Sequence, residues 1–336
     1  MPPEIINVAR PAPPATLPPL LRRQLRLLAI CTVVLAVCFA GPLSALVRFA
    51  LHSELYSHIL LIPFVSIYLG WLKICAPEPR VGPLTPALSP SEGERGNPMA
   101  LFTEPDRKLA TLPLAAGLLS ILGYSCALHS GWKLAPVDFL AWTTFSFFLL
   151  FVAACFFCLG KQTLRALAFP IGFLIFLVPF PVVVRDAIET FLQHRSADAA
   201  ELLFGLAGTP LLRHGVDFQL PGFSLQVAPE CSGIRSSFVL FITSLVAGQL
   251  FLRSPWKRAL FALAVLPLGI LRNAFRIVVI GELCVHVDPG FIDSPIHHRG
   301  GPVFFAISMI PFLLLLYYLR KTDVRKHRSR DATAIV

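Results

Sequence analysis

The stretch Pro302-Val-Phe-Phe-Ala-Ile-Ser-Met-Ile-Pro-Phe-Leu-Leu-Leu-Leu-Tyr-Tyr-Leu319 carries no charged side chain, and Arg320-Lys321 follows it at once. A bilayer core about 30 Å thick takes roughly 20 apolar residues of α-helix, so this run reads as a membrane span closed by cations. Seven more runs of the same kind lie upstream, near 27 to 47, 56 to 75, 110 to 128, 137 to 159, 166 to 184, 236 to 252 and 259 to 283. With 55% hydrophobic and only 14% charged residues, the chain is too apolar for a soluble domain. The expected fold class is an all-α polytopic membrane protein of about eight transmembrane helices.

Arg22, Arg23 and Arg26 precede the first run in the manner of a signal peptide. A secretory apolar region is usually about 7 to 15 residues long, however, so this longer run reads as an uncleaved span. The net charge of +10 would suggest nucleic acid in a soluble protein, but here the cations sit in alternate loops. Arg80, Arg95, Arg107 and Lys108 follow span two, Lys161 and Arg165 follow span four, Arg253, Lys257 and Arg258 follow span six, and Arg320 to Arg330 follow span eight. Under the positive-inside rule both termini and these loops face the cytoplasm, and the other loops face outward from a cell (inner) membrane. Lys133, Arg185, Arg195, Arg213 and Arg299 are exceptions to that bias. No nucleic-acid partner is expected.

The resulting division has a cytoplasmic tail over 1–26, spans one and two over 27–75, and a proline-rich loop read as disordered over 76–108. Spans three to five occupy 109–184, an outer segment 185–233, spans six to eight 234–319, and a basic cytoplasmic tail 320–336. In the outer segment, Ile188, Phe191, Leu192, Ala199, Leu202 and Leu203 recur at helical spacing, which predicts an amphipathic helix. Val216, Phe218 and Leu220, then Phe223, Leu225 and Val227, alternate about Pro221-Gly222 and predict a hairpin. A small extracytoplasmic helix and hairpin insertion thus precedes span six.

Of the eight cysteines, Cys155 and Cys158 form a C-x-x-C inside an apolar run, without a second pair, and read as core thiols. Cys31, Cys38, Cys75, Cys126 and Cys284 lie in or beside spans in the same way. Cys231 differs. The run Glu230-Cys231-Ser-Gly-Ile-Arg235-Ser sets it at the expected N-terminus of span six, where positive potential and Arg235 favour thiolate while Glu230 opposes it. Span seven holds Arg272, Asn273 and Arg276, costly inside lipid, at spacings that allow all three to line one cavity. The next outer loop carries His297-His298, able to exchange a proton with a thiol and a leaving amine near neutral pH. A metal at that pair would lack further ligands at persuasive spacing, and no cofactor is expected.

A Cys, an Arg and a His on three outer segments resemble the exosortase/archaeosortase family. The resemblance rests on Glu-Cys-Ser-Gly-Ile-Arg-Ser, on Asn273-x-x-Arg276-Ile, and on His297-x-x-x-Gly301 with Phe304-Phe305 opening the last span. It extends to Tyr56-Ser-His58 through Pro63, which adds His58 to the supporting set, and to Phe173 through Pro181. By that resemblance Cys231 is the nucleophile, with Arg276 and His297 as partners and Glu230, Arg235, Arg272, Asn273, His298 and His58 in support. Pro302 stands where the family often has Trp, which leaves His298 open beside His297.

The resemblance implies a membrane cysteine transpeptidase. Its substrates would be exported proteins ending in a Pro-Glu-Pro-type motif, an apolar helix and a basic tail. Its surroundings would be membrane lipid and exopolysaccharide biosynthesis machinery. Two other classes stand beside this one: an anion transporter or channel built on Arg272 and Arg276, and a non-catalytic scaffold of polysaccharide export.

Overall fold

The computed structural model describes residues 19–75, 107–131, 133–228, 232–293 and 300–333. The proline-rich loop, apart from its last two residues, and most of the N-terminal tail therefore lie outside the described residues. The chain divides into two compact units, Met1–Pro181 and Val182–Val336.

In the first unit, α1 (Pro19–Cys38) and α2 (Ala40–His52) meet at 79°, and a short 3-10 turn (Ser57–Leu60) leads into α3 (Ile62–Cys75). Then come α4 (Thr111–His129), entered through a 3-10 turn at Arg107–Ala110, α5 (Pro136–Cys158), α6 (Lys161–Ala166), α7 (Ala168–Phe173) and a 3-10 turn at Leu174–Leu177. Two breaks have one cause. A proline ring clashes with the carbonyl four residues back and lacks an N–H to bond it. Pro42 accordingly stops α1 at Cys38, and Pro170 stops α6 at Ala166.

Between α4 and α5, Ser120 Oγ lies 2.7 Å from Ser146 Oγ, and Trp142 Nε1 donates to Ser120 O at 2.8 Å. A Cβ at Gly117 would come within 2.8 Å of Leu150, so this pair packs by the small-residue logic of membrane helices. Leu112, Leu118, Leu119 and Leu122 on the rest of α4 stay exposed, as a lipid-facing surface must. Leu46, Ala50, Tyr56, Ile59 and Leu140 form one buried cluster, and Tyr56 Oη donates to Phe180 O at 3.3 Å beside it.

In the second unit, α8 (Val182–Ala207) is followed by β1 (Leu212–His214), β2 (Asp217–Leu220) and β3 (Phe223–Gln226). Then follow α9 (Ile234–Phe251), α10 (Pro255–Leu263), α11 (Val265–His286), a 3-10 turn at Pro289–Asp293, and α12 (Gly301–Thr333). The expected hairpin forms, with Phe218 opposite Leu225 and Leu220 opposite Phe223 across an antiparallel pair, and Gly222 takes φ 72° in its turn. β1 adds a third strand on β2 that the alternation did not reveal. The break between α10 and α11 again sits at a proline's i−4 position, Leu263 for Pro267. Gly269, two residues beyond Pro267, lies inside an unbroken α11 and serves packing.

The core of this unit joins Ala197, Ala200 and Phe204 of α8, Phe218, Leu220, Leu225 and Val227 of the hairpin region, and Ala274, Ile277 and Val278 of α11. The buried stripe of α8 is thus mostly small, whereas Phe191 and Leu202, placed on the apolar face by their spacing, are exposed. A second cluster links α9, α10, α11 and α12 through Leu240, Phe261, Val265 and Phe312, with the Phe261 and Phe312 rings 4.6 Å apart. On α12, Asp323 accepts from the Arg253 and Ser254 amides and pairs with Lys257 at 3.3 Å, satisfying the turn before α10.

Three of the unexpected cations before span six have acidic partners. Arg185 pairs with Asp186 at 2.7 Å, Arg195 with Asp198 at 3.0 Å, and Arg213 with Asp198 at 2.8 Å and Glu201 at 2.7 Å. Burial works against the Arg213 charge, but the bonds and attraction of the two carboxylates outweigh it and raise its pKa. These cations are locally neutralised, which weakens their vote in a loop-charge comparison.

Among the described residues, five helices are long and apolar enough to cross a membrane: Arg107–His129, Pro136–Cys158, Ile234–Phe251, Pro255–His286 and Gly301–Asp323. The number rises to seven if each of two broken pairs, Pro19–Cys38 with Ala40–His52 and Ala168–Leu177 with Val182–Ala207, is one span. The expected second span is helical only from Ile62, and its 14 residues are shorter than a bilayer core requires. The expected fifth run, 166 to 184, is interrupted because Pro179 and Pro181 turn the chain out of helix, Val178 having ψ 117°.

Candidate active site

The N-terminus of α9 is set by Gly233, which caps the helix at φ 73°. A residue with a Cβ is strained in that left-handed region. Ser232 beside it is buried, and the Ser236 hydroxyl donates to Gly233 O at 3.2 Å. Glu230 and Cys231, immediately before, lie outside the described residues, as do His297 and His298 within 294–299. Cys231 stands two residues before Gly233 in the sequence.

Against this N-terminus α11 turns Gly269, Arg272 and Asn273, spaced as neighbours on a helix surface. Two glycines permit the approach. A Cβ on Gly269 would lie 2.5 Å from Ser237 Oγ, and one on Gly233 would lie 3.2 Å from Arg272 Nη2 and 3.4 Å from Asn273 Oδ1. Arg272 Nη2 donates to Gly233 O at 3.3 Å and to Ser237 Oγ at 3.2 Å, so one guanidinium nitrogen ties the first turn of α9 to α11. Arg272 is 8% exposed, and its Nη1 has no hydrogen-bond partner among the described residues. Leaving a buried donor unmet costs about 1–3 kcal/mol, more for a charged group.

Arg276 is half-buried and takes a different direction. With Asn273, Leu225, Gln226, Val227, Ile277 and Ile280 it lines a narrow cleft of about 20 Å³ between the hairpin and α11, little more than one water. Gln193 of α8 donates to Val227 O beside it. Asn273 and Arg276 line the cleft, Asn273 also lies against Gly233, and Arg272 is anchored on α9. Long side chains from neighbouring turns diverge even where their Cα atoms share a helix face.

Arg235 is exposed on the first turn of α9. His58 belongs to the first unit, where its Nδ1 lies 3.0 Å from Leu55 O. Ser237, Gly233 and Gly269 were missed as parts of the site. The spacing Gly269, Arg272, Asn273, Arg276 held the signal, since a glycine one turn from a buried arginine marks a close approach. Among the described residues, no three His, Cys, Asp or Glu side chains come together to hold a metal ion. The described cysteines all lie in helices, with Cys31 Sγ and Cys158 Sγ 4.0 Å apart.

The arrangement offers cationic hydrogen-bond donors and a helix N-terminus close in the chain to a thiol. Such a setting stabilises negative charge on sulfur or on oxygen. A family model described as transmembrane exosortase matches residues 50–314, from within α2 to within α12. No protein with a curated description and no solved structure matches the chain.

Proposed function

The chain belongs to the transmembrane exosortase family, and from that premise we propose that this multi-pass membrane protein is a cysteine transpeptidase acting on the C-terminal sorting signal of exported proteins. The observation that carries the reading is the meeting of Arg272, Asn273 and Gly233 at the start of α9, two residues beyond Cys231, with Arg276 in the adjoining cleft.

In the proposed reaction the Cys231 sulfur attacks the scissile carbonyl carbon of the substrate. His297 takes the thiol proton and returns it to the leaving amine as the C–N bond breaks, leaving a thioester. His298 is the alternative for that role. Arg276 stabilises the thiolate or the oxyanion that forms on attack, while Glu230 and Arg235 flank the thiol in sequence. Water resolves the thioester in hydrolysis, and an amine or hydroxyl of a surface acceptor resolves it in transfer.

The topology that suits this chemistry has eight spans in a cell (inner) membrane, the α8 and hairpin segment outside, and both termini in the cytoplasm. The substrate's apolar helix docks in lipid against the bundle while its motif meets the outer site. Exopolysaccharide or lipid is the acceptor class in this reading.

The test is co-expression with a tagged reporter ending in a Pro-Glu-Pro-type motif, an apolar helix and a basic tail. Removal of the tail, dependent on the motif, is the expected result. A reporter that stays full length beside membrane-inserted protein, across a panel of such motifs, overturns the reading.

A further inference from the structure

We infer that the outer edge of β3 is the docking strand for the peptide substrate, whose extended segment adds to the sheet through the backbone of Ser224 and Gln226 and turns an acidic side chain to Arg276. The inference rests on the peptidase reading above and concerns where that substrate binds, apart from the reacting groups.

The ladder decides which backbone groups face outward. β3 ends the sheet, since the strand order is β1, β2, β3. Val227 N–H donates to Val216 O at 3.0 Å, one step along the register that sets Asp217 opposite Gln226. Bonded and non-bonded pairs alternate in an antiparallel ladder, so Leu225 with Phe218 and Phe223 with Leu220 are the bonded ones. Ser224 and Gln226 therefore turn their N–H and C=O away from β2, and among the described residues no backbone group meets them. Both side chains are exposed, while Leu225 and Val227 are buried in the core shared with α8 and α11 and hold the strand in place. An outward edge on a fixed backing is a template for one more strand.

The cleft between the hairpin and α11 follows that edge. It touches Leu225, Gln226 and Val227 in succession, and because side chains alternate across a strand, such a hollow runs beside the backbone and not over one face. Asn273, Arg276, Ile277 and Ile280 form its other wall. At about 20 Å³ it holds little more than one water, so a peptide lies across its mouth, with its backbone on β3 and one side chain reaching the half-buried Arg276.

Charge chooses the occupant. A second copy paired edge to edge along this four-residue strand would bring two Arg276 guanidiniums to the same short ladder. An extended peptide with a carboxylate brings the opposite charge, and the pair forms charge-assisted hydrogen bonds. Main-chain bonds then supply affinity and the acidic side chain supplies selection.

The test uses the full-length membrane protein and the tagged reporter, with kcat and KM resolved for wild type, Ser224→Pro, Gln226→Pro, Ser224→Ala and Gln226→Ala. Proline removes an N–H from the outer edge alone, a position where strands accept it, whereas alanine keeps that N–H. Each proline should raise KM by roughly 5–50-fold with kcat within about threefold of wild type, and each alanine should leave both within about threefold. A benzoylphenylalanine in place of Ser224 should crosslink to the reporter on irradiation. A reporter whose acidic residues before the apolar helix are replaced by their amides should crosslink less than about half as well. Crosslinking leaves the strand's N–H groups intact, so it decides the matter if the proline variants fold poorly.

Unchanged KM in both proline variants overturns the inference. So does a crosslink within the chain or to a second copy instead of the reporter, or equal crosslinking of the two reporters. In each case a wild type that still cleaves leaves the peptidase reading standing. A wild type that cleaves no reporter removes that reading, and the inference with it.

Discussion

Cys231→Ala is expected to leave the reporter at full length, with no tail removed at an expression level where the wild type processes it completely. The account gives this thiol the only bond-forming role, so its loss removes the covalent route and leaves only the surrounding donors. In enzymes of this logic, deleting the nucleophile costs on the order of 10⁶-fold in rate, which in a cellular assay is indistinguishable from zero. Cys231→Ser should be nearly as damaging, because a hydroxyl is ionised far less readily than a thiol near neutral pH. Because His297 and His298 are adjacent, His297→Ala and His298→Ala form the companion pair. The account expects the larger loss at His297. Equal processing by Cys231→Ala and wild type would remove the nucleophile assignment and restore the transporter and scaffold readings.

Gly281→Leu is expected to unfold the second unit or leave it aggregated in detergent, even though residue 281 touches no proposed reacting group. A Cβ there would lie 2.6 Å from Phe204 Cζ, 2.9 Å from Phe204 Cε1 and 3.2 Å from Leu220 Cδ1. Phe204 is fully buried and packs on Phe218 with ring centroids 5.9 Å apart, so its ring has no empty space to enter. Overpacking by even a methyl group typically costs about 1–3 kcal/mol, and the three further carbons of leucine extend the clash into α8 and the hairpin. Gly281→Ala should therefore lower the thermal midpoint by roughly 2–10 °C. Adding Phe204→Leu to Gly281→Ala should restore part of it, because the smaller side chain gives back the volume. A Gly281→Leu protein with wild-type stability would show that α8 does not seat on α11 at this point.

Much of the fold can be read from apolar run length. The runs near 110 to 128, 137 to 159, 236 to 252, 259 to 283 and 302 to 319 each fall on a helix long enough to span a membrane. The hairpin is equally plain, because alternation about Pro221-Gly222 leaves few other pairings. Helix continuity is harder to read than helix presence. Pro42, Pro170 and Pro267 each break a helix four residues upstream of themselves, whereas Pro311 sits inside an unbroken α12. A hydropathy count does not see that a break lies behind the proline that causes it. The 14-residue α3 shows the reverse problem, since the apolar run beginning at Tyr56 includes residues that form a 3-10 turn.

The site was legible in its charges and illegible in its packing. Arg272, Asn273 and Arg276 stand out because ionisable and amide groups within an apolar run need a reason. That Arg272 would turn to α9 and Arg276 to the hairpin depends on Gly269 and Gly233, whose missing Cβ atoms make room for Ser237 and the guanidinium. Small residues leave no mark in a search for chemistry, yet they decide which charged side chain reaches which neighbour. The loop-charge pattern was blurred for a related reason. Arg185, Arg195 and Arg213 look like outward cations until their carboxylate partners are seen.

The central claim is that Cys231 carries the substrate as a thioester, and the most direct test is to intercept that bond. Membranes holding the wild type and the reporter would be incubated with and without hydroxylamine, and the new C-terminus of the product and the peptide containing Cys231 read by mass spectrometry. The account predicts a hydroxamate at the product C-terminus when hydroxylamine is present, and an acyl adduct on Cys231 when the acceptor is withheld. A product that ends in a free carboxylate under both conditions, with Cys231 unmodified throughout, would contradict it.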